Sequence, residues 1–331
     1  MNIAYVISES FSIASINGIV MQAKLWGEEL KRQGHKVVYV NPWEEHDWTS
    51  YDIVHIFGAC EFLYNFVSAL SEINRNIVFS PIIDTIQSVF KYKIAANLGC
   101  VPLRLSTQNF MIKRSFPYIK KVFVRSKYEY RYVNEAYSVP SEKISVIPLS
   151  YRLKPCSRYP QKENVCFHLS RLTDERKNVL RLLQAAQKYK FKLILAGTVS
   201  SEKTFEPFKK IIDENENITY LGRIPDSDVV KNYLRAKVFA LPSINEGVGM
   251  VALDAALYGC DIVVTEIGGP SEYYDNKAIK VNPYSVDAIG KSILTALSRT
   301  DAQPSLMNYI NQNYSLERCV AKLTNAYNEV N

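Results

Sequence analysis

Apolar residues along this chain come either in short continuous runs or in longer stretches where they recur every three or four positions. The first run is NIAYVI at residues 2–7. Behind it, Ile19, Val20, Ala23, Trp26 and Leu30 recur at helical steps, which predicts a helix near 19–33 with one buried face. A loop holding Asn17 and Gly18 precedes that helix, Gly34-His35 ends it, and KVVYV at 36–40 is the next run. Strand, glycine turn, helix and strand make a βαβ unit. The strands are apolar throughout rather than alternating, which suits a parallel sheet covered on both faces.

The rhythm repeats. Strands are predicted at Ile53–Phe57, Ile77–Phe79, 121–125 and 144–148, with helices over 60–73, 84–97 and 127–137. Pro148 and the polar stretch through PCSRYPQKEN at 155–164 read as a linker. A second series opens with VCFH at 165–168. Its predicted helices cover 177–188, 203–214, 226–236, 249–258 and 285–298, and its strands 192–196, Ile218–Leu221, Val238–Leu241 and Ile262–Thr265. The prediction is α/β throughout: a Rossmann-like, doubly wound domain over 1–152, a second over 153–314, and a C-terminal helix in 315–331 able to bridge back to the first. Such domains gather ligand at the carboxyl ends of their strands, here in an expected central cleft between the two.

Composition changes this picture little. A length of 331 residues suits two domains, and 47% apolar with 22% charged residues excludes collagen-like, mucin-like and disordered chains. No run approaches the roughly 20 apolar residues that cross a bilayer. The opening MNIAYVISES has neither a basic stretch nor a cleavage site, so a cytoplasmic chain is expected. Cys60, Cys100, Cys156, Cys166, Cys260 and Cys319 form no C-x-x-C pair, and His35, His46, His55 and His168 have no zinc spacing. Buried thiols are therefore expected, and no protein-bound metal.

Charge adds more. Residues 1–160 carry 19 Lys/Arg against 13 Asp/Glu, whereas 161–331 carry 21 against 20, so nearly all of the formal +7 lies in the first half. That surplus favours an anionic partner, either a phosphorylated ligand or an acidic membrane surface. Nucleic acid is not expected, since no zinc-finger spacing, single-strand-binding sheet motif or long basic helix occurs. Residues 111–131 interleave cations and aromatics, but Pro117 interrupts them and 121–125 fits a strand. Lys113, Arg114, Lys120, Lys121 and Lys127 still concentrate positive charge there, which makes the inner face of the cell membrane a candidate surface for peripheral contact.

The segment richest in chemistry is Leu241–Gly259, LPSINEGVGMVALDAALYG. A strand ends in Pro242-Ser243, a loop carries Gly247 and Gly249, and an apolar helix follows. Glycines let backbone approach a ligand, and a helix start offers free N–H groups to an anion. Glu246 stands in the loop and Asp254 lies eight residues on, inside the helix. Two such carboxylates suit sugar or ribose hydroxyls, although a surface Glu and a helix-surface Asp fit the spacing equally well. Earlier, LSRLTDERKN at 169–178 sits where the first strand of the second half feeds its first helix. Arg171 and Lys177 are there the candidates to clamp a diphosphate, with Arg176 weaker because adjacent helical residues point about 100° apart. His55 reads as a core histidine, His35 as a helix C-terminal one, and His168 ends a strand close to Arg171.

Asn245-Glu246-Gly247 through Asp254, preceded by Pro242-Ser243, resembles the paired-acid motif of the retaining GT-B glycosyltransferases of family 4 (glycosyl transferases group 1). Other landmarks follow in order: Gly18 before a helix, Gly34-His35-Lys36-Val37, Asp52–His55, Ser126, Ile144–Pro148, Arg171 with Lys177, Leu195-Ala196-Gly197, Leu221-Gly222 and Gly268-Gly269-Pro270-Ser271-Glu272. The resemblance implies a nucleoside-diphosphate sugar as donor, with UDP or GDP foremost, no metal, and transfer to an acceptor hydroxyl with retention. The acceptor it implies is a glycan or lipid-linked glycan of bacterial surface polysaccharide or glycolipid synthesis. It implies that Glu246 meets the donor sugar and that backbone over Gly247, Val248 and Gly249 meets the phosphates. It gives Asp254 the ribose, Arg171 and Lys177 the leaving diphosphate, Gly18 the same phosphates, and Gly222, Arg223 and Ile224 the base.

Two positions depart from the family's pattern. Asp254 stands where a glutamate is usual, and Ser80-Pro81-Ile82-Ile83-Asp84 lacks the histidine that relatives often carry after that strand. Asp84 or Ser80 is then the candidate to position the acceptor, against a plain reading in which Ser80-Pro81 is a turn and Asp84 a helix cap. A non-catalytic sugar-nucleotide or glycan-binding homologue is the alternative. A dinucleotide enzyme fits less well, for want of a strand-linked G-x-G-x-x-G.

Overall fold

Six apolar runs of the amino-terminal half pair into one parallel sheet. The computed structural model describes residues 1–7, 18–59, 62–100 and 105–330. Asn17, in the expected glycine loop, and Cys60 lie outside the described residues. The elements begin with β1 (Asn2–Ile7), α1 (Gly18–Arg32), β2 (Lys36–Tyr39), β3 (Ile53–Phe57), α2 (Leu63–Ser71) and β4 (Ile77–Ser80). After α3 (Val89–Asn97) come a two-stranded antiparallel ribbon, β5 (Gly99–Cys100) and β6 (Leu105–Ser106), and α4 (Gln108–Ser115). Then follow β7 (Lys121–Val124), α5 (Lys127–Arg131) and β8 (Ile144–Val146). The sheet order is β2-β1-β3-β4-β7-β8, every pair parallel. Its central strands β3 and β4 are buried along their whole length, as their mostly apolar sequence predicts.

Two expected elements differ. The helix predicted over 84–97 begins only at Val89, because Ile82 takes a positive φ of 56° and the chain stays irregular until Ser88 caps α3 by accepting from the Lys91 N–H. Asp84 is therefore not a helix cap. The stretch 111–131 is neither one helix nor one strand: α4 ends at Ser115, a 3-10 turn spans Phe116–Tyr118 around Pro117, and β7 follows.

The second series gives β9 (Glu163–Leu169), α6 (Val179–Tyr189), β10 (Leu193–Ala196), α7 (Glu202–Asp213), β11 (Ile218–Tyr220), α8 (Asp226–Arg235) and β12 (Ala236–Leu241). It continues through α9 (Met250–Leu257), β13 (Asp261–Thr265), β14 (Ile279–Val281), α10 (Val286–Ser298), α11 (Ser305–Asn313) and α12 (Leu316–Asn328). These strands form a second all-parallel sheet, β11-β10-β9-β12-β13-β14. The order reverses between β9 and β12, the point where open α/β sheets leave a crevice at their carboxyl ends. The edge strand β14 and helices α4 and α11 are additions to the predicted elements.

Contacts divide the chain into two units, Met1–Ile83 with Gln87–Leu149 and Leu316–Asn331, and Ser150–Ser315 with Asp84–Ile86. Each has its own core. That of the first packs Val54, Ile56, Phe79 and Val122 of the sheet against Leu63, Val67, Ile112 and Tyr132. That of the second packs Leu193, Val238 and Val263 against Leu182, Leu183, Ile289 and Ile293. Helix α12 completes the first unit, burying Cys319, Val320, Leu323 and Tyr327. The Tyr327 hydroxyl lies 2.6 Å from His55 Nδ1 and 3.2 Å from the Tyr5 hydroxyl, and His55 Nε2 lies 2.8 Å from Ser80 Oγ. His55 is fully buried, its pKa pressed well below the usual value by that burial. It is a neutral, hydrogen-bonded core residue.

Candidate functional site

The crevice of the second sheet is flanked by the two segments that the sequence singles out, one leaving β9 and the other leaving β12. After β9, the chain makes a 3-10 turn at Glu175–Lys177, capped by Asp174, and enters α6 through Asn178. Asn178 has a left-handed backbone, φ 58°, a conformation that asparagine tolerates better than most side chains. Its buried amide donates to the carbonyls of Pro242 at 2.9 Å and Pro283 at 2.6 Å. One residue earlier than Lys177, the Arg176 carbonyl accepts from the Ile244 N–H at 2.8 Å. Lys177 is thus fixed on either side to the loop after β12.

The outcome is an acid–base contact across the crevice. Lys177 Nζ donates to Glu246 Oε2 at 2.5 Å, and Ser243 Oγ reaches the same oxygen at 3.3 Å. Both partners retain some access, at 18% and 16% of their side-chain surface. Behind Glu246 the chain is closely packed: a Cβ on Gly268, whose φ is 90°, would come to 2.6 Å of the Glu246 carbonyl oxygen. Gly249 caps α9 with φ 74°, and a Cβ there would meet Leu241 at 2.8 Å. Glycine is needed at both positions for conformation and for space. Gly247 is half-buried and Val248 buried in the intervening turn.

Arg171 stands apart from this pair. It is two-thirds exposed, with Nη2 at 3.3 Å from Asp174, which Arg176 also holds at 2.7 Å. Gly222 follows β11 with φ 71°, its carbonyl accepting from the Gly197 N–H at 2.9 Å, while Arg223 is exposed and Ile224 half-buried. Gly18 belongs to the first unit, where it opens α1, exposed, with no atom of the described residues beyond its chain neighbours and its own helix within 4 Å of where a Cβ would stand. Asp84 is exposed and groups with the second unit.

One expectation is corrected. Asp254 is neither a helix-surface acid nor an open ribose acceptor, because it is fully buried. Its Oδ1 accepts from the Arg152 N–H at 2.7 Å, and its Oδ2 from Arg152 Nε at 2.7 Å and Nη2 at 2.5 Å. Burial pushes the Asp254 carboxyl up, and the Arg152 guanidinium and N–H pull it back. A buried carboxylate needs such a partner, but nothing in the linker sequence marks Arg152 as that partner. His168, at the end of β9, is fully buried between the Ala240 carbonyl and Ser170 Oγ, each at 2.7 Å, and burial pushes its pKa down to about 4.

Among the described residues, no group of three or more His, Cys, Asp and Glu is placed to hold a metal, and no helix is long and apolar enough to cross a membrane. Cys166, Cys260 and Cys319 are buried free thiols, with Cys100 and Cys156 partly exposed. A surface cavity of about 450 Å³ bordered by Arg75, Tyr118, Lys120 and Lys143 lies at the amino ends of β4 and β7, away from the strand ends where ligands gather.

Two doubly wound parallel units, the second carrying an acid–base pair at its switch point, are the architecture of the GT-B class. Residues 153–315, within the second unit, match the family described as glycosyl transferases group 1, the family-4 group, and that segment belongs to it. In fold it is similar over 100% of its length to a sucrose-phosphate synthase of Thermosynechococcus elongatus, with a TM-score of 0.77, 17% identity and 99% of that chain covered. It is likewise similar over 99% of its length to the Anabaena protein Alr3699/HepE in complex with UDP, with a TM-score of 0.73, 14% identity and 100% of that chain covered. In sequence it is 30% identical over 167 residues to O-antigen chain mannosyltransferase B of Escherichia coli. That match takes in 46% of this chain and 43% of the relative, so the chain spans less than half of that protein's length.

Proposed function

We propose that the protein transfers a sugar from a nucleoside-diphosphate sugar to an acceptor hydroxyl, with retention at the anomeric carbon, in the assembly of a bacterial surface polysaccharide or glycolipid. The observation that carries the reading is the Lys177–Glu246 pair, brought together from positions 69 residues apart at the switch point of the second sheet. Lysine and glutamate in one crevice suit a substrate that is anionic at one end and rich in hydroxyls at the other. An O-antigen mannosyltransferase among the relatives and a UDP complex among the similar folds support the same chemistry.

In this reading the bond from the anomeric carbon to the diphosphate oxygen breaks, and a bond to the acceptor oxygen forms. The acceptor's proton leaves with the diphosphate. Lys177, joined by Arg171, neutralises charge that develops on the departing phosphate, aided by N–H groups over Gly247, Val248 and Gly249. Glu246 orients the sugar's hydroxyls and opposes positive charge at the anomeric carbon. The turn at Gly222, Arg223 and Ile224 receives the base. Asp254 acts at one remove, by anchoring Arg152 and fixing α9. UDP and GDP are the first nucleotides to try, and a glycan carried on a lipid is the acceptor class.

The sequestered Asp254 also favours a second reading, a homologue that binds sugar nucleotides without transferring them. One set of measurements separates the two. Nucleoside diphosphates added without divalent metal should raise the thermal midpoint, since a ligand that binds only the native state stabilises it. Lys177→Ala should weaken that binding about tenfold or more while sparing a free nucleoside. Glu246→Gln should keep nucleotide affinity and lose transfer rate. No response to any nucleotide would overturn the donor site, and nucleotide binding with no transfer across an acceptor panel would establish the second reading.

A further inference from the structure

The surface cavity of the first unit lies where neighbouring strands of its sheet begin. It has about 450 Å³ and is bordered by Glu72, Arg75, Pro117, Tyr118, Lys120 and Lys143, a size in the range of small-molecule sites. Arg75 stands in the turn between α2 and β4, Lys120 directly before β7, and Lys143 at the end of a 3-10 turn before β8. Those strands are adjacent in the sheet, so distant segments of sequence bring their cations to one place.

The walls are held by bonds of their own. Asn74 Nδ2 donates to the Trp48 and Tyr51 carbonyls, each at 2.8 Å, and Asn76 Nδ2 to the Asp52 carbonyl at 2.9 Å, which fixes the turn carrying Arg75. The Lys120 N–H donates to the Ile77 carbonyl at 2.9 Å and ties the start of β7 to β4. Pro117 stiffens the 3-10 turn that presents Tyr118. A ligand would meet a surface already shaped, which spares it the cost of ordering one.

The charge of the cavity is unbalanced. Lys120 Nζ donates to Asn76 Oδ1 at 2.6 Å and to the Val330 carbonyl at 3.0 Å, and Lys143 Nζ to the Ile119 carbonyl at 3.3 Å, all neutral acceptors. The Arg75 guanidinium makes no hydrogen bond or ion pair with any described residue. Other cations of this unit have a carboxylate each: Lys121 pairs with Glu329, Arg125 with Glu129 and Arg131 with Glu135. Against Arg75, Lys120 and Lys143 the border sets only Glu72, an excess of two positive charges.

We infer that this cavity binds a small phosphate monoester that carries hydroxyl groups, a sugar phosphate in class. A monoester has close to two negative charges at neutral pH, which matches the excess. Arg75 offers its oxygens a planar pair of donors, and the lysines add point charges. The Glu72 carboxylate is repelled by phosphate and suits the hydroxyl end, where Pro117 and the Tyr118 ring form an apolar wall. Inorganic phosphate would leave most of the space unfilled, and a lipid headgroup presents phosphate as a diester with a single charge. None of these residues belongs to the donor site proposed above, so binding here does not depend on transfer.

The test is calorimetric titration of the full chain with glucose 6-phosphate, glucose 1-phosphate, glycerol 3-phosphate, inorganic phosphate and glycerophosphoglycerol, the diester headgroup of phosphatidylglycerol. At least one monoester is expected to bind at millimolar concentration or below, more tightly than inorganic phosphate or the diester. Arg75→Ala with Lys143→Ala should weaken that monoester about tenfold or more and leave the response to UDP unchanged. Lys177→Ala should do the reverse, so the two sites are judged separately. Arg75→Ala alone, which removes no bond within the protein, should still weaken the monoester about threefold or more, with circular dichroism as in the parent. Glu72→Gln should narrow the gap between the monoester and inorganic phosphate. No binding of any monoester at millimolar concentration overturns the inference, as does binding that Arg75→Ala with Lys143→Ala retains or that Lys177→Ala removes. Equal or tighter binding of glycerophosphoglycerol also overturns it, in favour of a lipid headgroup.

Discussion

Asp261 opens β13 almost fully buried, and its Oδ1 has no hydrogen-bond partner among the described residues. Burial pushes its pKa up to about 6, against the pull of Arg299 and Lys237. A carboxyl whose folded pKa lies above its unfolded value contributes stability below about pH 4, which is lost as the pH rises through about 6. Asp261→Asn removes that loss. The variant's gain in unfolding midpoint over the parent should therefore be larger at about pH 7.5 than at about pH 4, and an equal difference at both would show that the carboxyl is not the cause. Asp254 is as deeply buried but has a guanidinium and a backbone N–H on its oxygens. The contrast is between a buried acid with a fitted cation and one without.

The short turn between β9 and α6 decides where Lys177 points. Asn178→Ala leaves the Pro242 and Pro283 carbonyls without their donor and puts alanine at positive φ, so it should cost about 1–3 kcal/mol of stability in denaturant titration. Asn178→Gly relieves the backbone but not the lost hydrogen bonds, and should still weaken nucleoside diphosphate binding if the turn aims the lysine. Much of this frame is legible in the sequence. Apolar runs give all six strands of the first sheet and five of the second, and the motifs at 169–178 and 241–259 mark the two loops that hold Lys177 and Glu246, though not their contact. Less legible are elements without a distinctive pattern. β14 is three residues at a sheet edge, and α4 lies inside a stretch where cations and aromatics mask its period. The start of α3 follows an irregular stretch that includes a positive φ at Ile82 and ends at the Ser88 cap. Asn178 and Arg152 escape notice for another reason, since their partners are 64 to 105 residues away and no local signal announces them.

At the scale of the molecule, the first unit is discontinuous: its sheet comes from residues 2–146, but α12, arriving after the whole second unit, closes it. Ending the chain after Ser315 should therefore abolish cooperative unfolding of the first unit, while limited proteolysis still finds the second protected. Equal protection of both units would show α12 to be dispensable. Tyr327→Phe is the milder probe; it takes the hydroxyl from His55 Nδ1 and should cost about 1–3 kcal/mol in the first unit. The same connectivity sets a timetable for synthesis. At about 5–20 residues per second, a ribosome needs about 10–35 s to go from residue 149, where the first sheet is complete in sequence, to residue 327. The second unit has every strand it needs before that interval ends. The order of completion thus runs opposite to the order of translation, and throughout that interval the first unit lacks the helix that covers the surface awaiting α12.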